Sequence, residues 1–139
     1  MNILITYNDF IYQSMYAMII IGFTDIVSYN IIGNKARWFQ LHALINTYIV
    51  YLIINDVYDT LIDPYTALTL YSDRYPGYII LNLHIYHILF FNNLSRMDYI
   101  HHILSVLLSL LPCLLIYYSK LITLSYFFGC GLPGGITYY

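Results

Sequence analysis

The sequence predicts an all-α protein, a polytopic bundle of about five transmembrane helices. Hydrophobic residues make up 60% and charged residues only 9% of the chain, whereas a soluble domain carries about 25% charged residues. The mean hydropathy is +0.67. The apolar residues also fall in runs near the length of about 20 residues that a membrane-spanning helix needs, with short polar turns between them.

Turn-forming residues set the limits of these segments, which are predicted at 11–32, 41–62, 77–92, 99–118 and 121–138. Gly33 and Asn34 end the first, because both residues favour turns. Pro112 is expected to kink the fourth, since proline removes a backbone donor and clashes with the preceding turn. Glycines and a proline crowd 129–135 in the fifth. Unwound backbone at membrane depth survives only where protein or water covers it.

Acidic side chains lie near two segment ends. Asp25 either faces the bundle interior or reaches the interface, and we favour the interface because the end of the helix is roughly two turns away. Asp56, Asp59 and Asp63 share a helix face. We interpret this stripe as a solvated helix end rather than a divalent cation site, because no second acidic stripe completes an oxygen cage.

An adjacent histidine pair, His101 and His102, opens the fourth apolar segment. Ionisable groups inside a membrane are costly and are therefore functional candidates; the alternative is that the pair lies at the lipid headgroups. Asp98 precedes His102 by four residues and can reach it along one helix face. There it would fix the tautomer of a catalytic imidazole, or form a plain helix-end pair. Ser105 lies one turn beyond His101 and could position it.

Three separated motifs resemble the TLC-domain family of membrane proteins. Residues 37–43 (RWFQLHA) resemble its R-x-x-x-x-H-A helix start, and residues 76–82 (PGYIILN) resemble its G-Y-x-x-x-D start. Residues 98–105 (DYIHHILS) resemble its HH-x-x-(S/T) helix. The order and spacing of the motifs fit, and the resemblance covers roughly residues 35–139.

The resemblance implies a polytopic protein, most often of the endoplasmic reticulum. The family includes ceramide synthases, which transfer a fatty acyl group from acyl-CoA to a sphingoid amine, and members linked to lipid sensing, composition and trafficking. The paired histidines of the synthases are catalytic, so this role falls on His101 and His102. We expect His42, Asn82 and Ser105 to bind substrate. Because helix packing offers partners to polar side chains, we also expect His42, Asn82 and both paired histidines to share one interior cavity.

The sequence departs from the family pattern in three places. The aspartate of the second motif is Asn82 here, the chain has no glutamate near residues 129–135 or anywhere else, and the family's later helices are absent. We therefore expect residues 1–139 to form a single TLC-like domain that is incomplete at its C-terminus. The resemblance supports the fold better than the activity.

Three functions stay open. In the first, one imidazole deprotonates an attacking lipid amine or hydroxyl, or itself takes the acyl group. The second is a non-catalytic lipid-binding, trafficking or accessory protein. The third is a metal enzyme, since His84 and His87 share a helix face and a catalytic zinc needs three protein ligands; we assign no metal ligands.

The expected partners are membrane lipids, with acyl-CoA as the acyl donor. No nucleic acid is expected, because the formal net charge is −2 and the chain has no basic cluster. Acyl transfer of this kind requires no cofactor. Homo- and hetero-oligomers within the membrane both stay open.

Overall fold

The computed structural model describes residues 7–34, 36–91, 95–115 and 118–137. In these ranges every regular element is a helix, and one isolated antiparallel bridge joins Tyr71 to Ser119. The predicted all-α class is therefore confirmed. The helices are α1 (Tyr7–Ile32), α2 (Arg37–Ile62), α3 (Pro64–Thr69), α4 (Tyr75–Phe90), α5 (Arg96–Leu115) and α6 (120–137).

The last two helices each contain a π-helical segment. In α5 it covers Ile103–Leu110, between α-helical turns at Arg96–His102 and Leu111–Leu115. In α6 it covers Phe127–Gly131, between Lys120–Tyr126 and Leu132–Thr137. Each ends just before a proline, Pro112 or Pro133. A proline ring clashes with the carbonyl four residues earlier, and for both prolines that carbonyl belongs to the π segment.

Each of the five apolar segments coincides with a helix, α1, α2, α4, α5 or α6, although the described residues Phe91 and Tyr118, in the third and fourth segments, lie beyond the helix ends. The predicted segment ends at Asn92 and at residue 138 lie outside the described residues, as do residues 116–117. The short helix α3 falls in the stretch between the second and third segments. Asp63 caps it: the carboxylate accepts from the Thr66 backbone N–H at 3.1 Å and from the Thr66 hydroxyl at 2.5 Å.

Two of the described helices are long and apolar enough to cross a membrane, over Asn8–Ile32 and Arg96–Leu115. Only 22% and 17% of their most apolar windows are buried inside the protein. Most residues in these two windows are therefore exposed on the surface of the protein. By contrast α4, with 16 residues, is shorter than the usual spanning length of about 20 residues.

The centre of the fold is α4, in which every residue from Tyr75 to Leu83 is buried. It packs against α1, α2 and the π segment of α5. Gly77 permits the close approach of α5, because a Cβ atom there would lie 2.7 Å from Leu114 Cδ2. The motif glycine predicted to start this helix is thus a packing position.

A buried ion pair connects the first three long helices. Asp25 on α1 has no exposed surface. Arg37 on α2 donates from Nε to Asp25 Oδ1 at 2.7 Å and from a terminal nitrogen to Oδ2, and the Tyr86 hydroxyl of α4 donates to Oδ2 at 2.7 Å. The interface position expected for Asp25 is therefore wrong. The partners that make burial tolerable are 12 and 61 residues away.

The three carboxylates of the acidic stripe, at the end of α2, have different partners. Lys120 Nζ lies 2.6 Å from Asp59 Oδ2 and 3.2 Å from Asp56 Oδ1, and the Ser72 hydroxyl donates to Asp56. The Asp59 carboxylate, followed by Asp56, raises the pKa of the Lys120 ammonium group. Asp63 caps α3 instead. Each carboxylate of the stripe thus has a protein partner.

Candidate functional site

All five histidines of the chain gather in one place, which we call the histidine cluster. The ring centroids of His42 and His87 are 6.0 Å apart, and those of His87 and His102 are 5.0 Å apart. His84 lies 5.0 Å from His102 and 5.7 Å from His101. Helices α2, α4 and α5 therefore contribute to a continuous chain of imidazoles.

His102 points into the protein and is paired with His87. Both side chains are buried, and Nε2 of His102 lies 3.1 Å from Nδ1 of His87, so one nitrogen donates and the other accepts. Nδ1 of His102 is buried without a hydrogen-bond partner. Trp38 stacks on His87 and meets His42 edge-on. This half of the cluster is a packed interior.

Asp98 is engaged at the start of α5. Its Oδ2 accepts from the Ser95 backbone N–H at 2.8 Å, and the Ser95 hydroxyl accepts from the Asp98 backbone N–H at 3.2 Å. This reciprocal arrangement is a capping box, which satisfies otherwise unpaired N–H groups of the first turn. The hydrogen bond that the structure shows for His102 is to His87. The expected orienting contact from Asp98 is not formed.

His101, by contrast, faces outward to a cavity of about 330 Å³. Its Nδ1 lies 3.3 Å from Ser105 Oγ, so the two residues meet as their spacing predicts. We call this space the histidine cavity. Its apolar wall comes from Ile80, Leu104 and Leu110, and its polar wall from His84, His101, Ser105, Ser109 and Ser125.

Both π segments border the histidine cavity. That of α5 contributes Leu104, Ser105, Ser109 and Leu110, and that of α6 contributes Gly129 and Cys130. π-Helical turns are rare and occur frequently at functional sites. Ligand pockets commonly have volumes of about 300–1,000 Å³, with largely apolar walls and a few placed polar groups. The size and lining of this cavity fit that description.

The expected common cavity is only partly formed. Of the four residues assigned to it, His101 lines the histidine cavity, whereas His42, Asn82 and His102 are not among the described lining residues. His102 is instead turned toward α4, where its buried ring pairs with His87. The Asn82 amide donates to the Tyr78 carbonyl at 2.8 Å, and His42 Nδ1 lies 3.2 Å from the Trp38 carbonyl.

His84 and Ser109 belong to the cavity wall, although sequence reasoning gave neither a role there. A signal for Ser109 was present, because His101, Ser105 and Ser109 recur every four residues and so form a polar stripe on an apolar helix. In the part of the chain that the structure describes, no group of three histidine, cysteine or aspartate side chains is arranged to hold a metal ion.

Comparisons with protein-family models, with curated proteins and with solved structures find no match to this chain. The similarity to TLC-domain proteins therefore rests on the three sequence motifs.

Proposed function

We propose that this protein is a multi-pass membrane protein that handles lipids and transfers a fatty acyl group from acyl-CoA to a lipid amine or hydroxyl. The observation that carries the proposal is the His101 imidazole on the wall of the histidine cavity, with Ser105 Oγ 3.3 Å away. A base beside an apolar space suits a substrate with one polar reacting group and an acyl chain.

Exposed apolar side chains support a membrane environment. On α1, Met15, Ile19, Phe23 and Ile26 are exposed, and their spacing places them on one helix face. Large contiguous apolar surfaces on soluble proteins are rare and mark membrane or protein contacts. We propose that α1 and α5 cross the bilayer with α2, α4 and α6 as five spans, and that the endoplasmic reticulum is the compartment, as the TLC resemblance implies.

His101 and His102 lie in different surroundings, and we propose a different role for each. His101 can accept a proton from a nucleophile in the cavity and return it to the leaving thiolate, because its ring lies on the cavity wall. His102 is buried against His87. We assign His102 a positioning role, in which it fixes α5, and hence His101, against α4.

The test is turnover by purified protein in lipid nanodiscs, supplied with radiolabelled long-chain acyl-CoA and a panel of sphingoid bases, lysolipids and diacylglycerol. The wild type should form labelled lipid. His101→Ala should lower turnover by about 10²–10⁴-fold, the usual contribution of a positioned proton-transfer group. Its membrane insertion and melting temperature should match those of Asn30→Ala, a control on the exposed end of α1 where the Asn30 amide donates to the Ile26 carbonyl of its own helix.

A folded wild type that binds lipid but transfers no acyl group to any acceptor would overturn the enzyme proposal. It would favour the accessory lipid-binding alternative, in which the same variant alters only lipid binding. Unchanged turnover in His101→Ala would remove the imidazole from the mechanism.

A further inference from the structure

We infer that Ser105 is the nucleophile of the reaction and carries the acyl group as an ester between the two half-reactions. This inference rests on the proposed acyl transfer and names the residue that accepts the acyl group. Ser105 is half-buried and lines the histidine cavity, and its hydroxyl oxygen lies 3.3 Å from Nδ1 of the His101 imidazole.

The hydroxyl of Ser105 differs from other hydroxyls on the helices. A serine or threonine within a helix commonly bonds to the carbonyl four residues earlier. Ser28, Thr47 and Thr60 do so, with distances of 2.7–2.8 Å to the carbonyls of Thr24, Ala43 and Asp56.

Ser105 instead meets the side chain four residues earlier, at His101 Nδ1. It lies in the π segment of α5, where the backbone follows wider turns. When the His101 proton is on Nε2, the Ser105 hydroxyl donates to Nδ1, a base, rather than to the helix backbone. A hydroxyl within reach of a base is the arrangement that activates a serine nucleophile, and this distance is often longer before substrate binds.

The reaction balances in two steps. Ser105 Oγ attacks the thioester carbonyl, and its proton moves to His101 Nδ1. The C–O bond forms, the C–S bond breaks, and the coenzyme A thiolate leaves with the proton from His101. A lipid amine or hydroxyl then attacks the serine ester, His101 takes its proton, and Ser105 Oγ regains a proton as it leaves. No oxidant or reductant is needed.

A thiol and an imidazole on the wall of the same cavity can also accept an acyl group. Cys130 Sγ lies 3.2 Å from the Tyr126 carbonyl, to which it donates, so its proton is directed at the α6 backbone. The His101 ring can itself take an acyl group. The three adducts are chemically distinct, because a serine ester resists neutral hydroxylamine, whereas a cysteine thioester and an acyl-imidazole are cleaved by it.

The experiment exposes the nanodisc-embedded protein to radiolabelled acyl-CoA without acceptor, then denatures it and treats it with neutral hydroxylamine. We expect label that survives this treatment, is released by alkali, and maps to the peptide containing Ser105. Ser105→Ala should lose both the label and turnover. Ser105→Cys should carry label that neutral hydroxylamine removes. Thr47→Val, which removes a helical hydroxyl bonded to Ala43, should behave as the wild type.

The outcomes separate this inference from the proposed function. Label on His101 or Cys130, or wild-type turnover by Ser105→Ala, overturns the serine nucleophile and leaves acyl transfer standing. Label on Ser105 that passes only to water supports the serine nucleophile and overturns transfer to lipid. A folded wild type with neither label nor turnover overturns both.

Discussion

The Asp25–Arg37–Tyr86 cluster and the histidine cluster lie in the same apolar protein, and they differ in how completely their polar groups are hydrogen-bonded. In the Asp25–Arg37–Tyr86 cluster, both carboxylate oxygens accept bonds and the carboxylate is fully buried. In the histidine cluster, His102 Nδ1 is buried without a hydrogen-bond partner, and His101 opens onto a cavity. Both carboxylate oxygens of the first cluster are thus paired within the protein, whereas the second cluster keeps an unpaired nitrogen.

Polar groups that stabilise the fold therefore differ from polar groups that can react with a substrate. A buried charge is tolerated when its hydrogen bonds are complete, and a complete set leaves nothing with which to bind a substrate. In the histidine cluster, His101 and Ser105 lie on the wall of an open cavity, where a substrate can reach them. We therefore expect changes in the first cluster to affect folding, and changes at the cavity to affect chemistry.

The largest effect on stability is expected from Arg37→Ala. The change leaves the Asp25 carboxylate buried with only Tyr86 as a partner, and breaking a buried pair in this way costs about 3–5 kcal/mol of unfolding free energy. Because part of the Arg37 side chain is exposed, at 30%, we expect the lower end of that range. Unfolding in mixed micelles by a denaturing detergent measures it.

A triple variant provides the control for Arg37. Asp25→Leu with Arg37→Met and Tyr86→Phe removes all three polar groups together, and replacing a buried ion pair by apolar residues is often neutral or stabilising. We expect stability near that of the wild type and turnover retained. Lost turnover in a fully folded triple variant would show that the saturated cluster takes part in chemistry and would break the comparison.

A smaller loss of stability is expected from His87→Phe. Phenylalanine keeps a ring against Trp38 but removes the nitrogen that pairs with His102 Nε2. An unsatisfied buried polar group costs about 1–3 kcal/mol. His87→Asn, whose amide lies near the position of Nδ1, should lose less. Melting temperature and turnover are measured together.

Because we assign His102 a positioning role, we expect turnover in His87→Phe, which removes the partner of His102, to fall far less than in His101→Ala. A fall as deep as that of His101→Ala, in a variant that melts at the wild-type temperature, would place the His87–His102 pair in the reaction itself.

Much of the fold was predictable because hydrophobic run length is a local property. Each of the five apolar segments coincides with a helix over most of its length, and the turn at Gly33 follows from residue type, since its φ of +83° suits glycine. The partners of Asp25 were not predictable, because Arg37 and Tyr86 are distant in sequence. The site was predicted in part: the His101–Ser105 contact is local, whereas the separation of His101 from His102 depends on how α5 is rotated against α4.

The smallest effect on stability is expected at Asp63, an exposed carboxylate whose two oxygens both accept hydrogen bonds. It tests whether hydrogen bonding without burial makes a large contribution to stability. Asp63 is saturated but exposed, and the Thr66 hydroxyl and backbone N–H that donate to its carboxylate hold its pKa below the ordinary value of 3.8. A lowered folded-state pKa gives stability that is present above the ordinary pKa and is lost as pH falls through the folded one. The melting-temperature difference between wild type and Asp63→Ala should therefore be small, constant from neutral pH down to about pH 4, and vanish below it.

Asp63→Asn, which keeps an acceptor for the Thr66 N–H, should have a melting temperature between those of the wild type and Asp63→Ala at neutral pH. A difference as large as that of Arg37→Ala would mean that hydrogen-bond saturation, rather than burial, sets the cost of losing a polar group here.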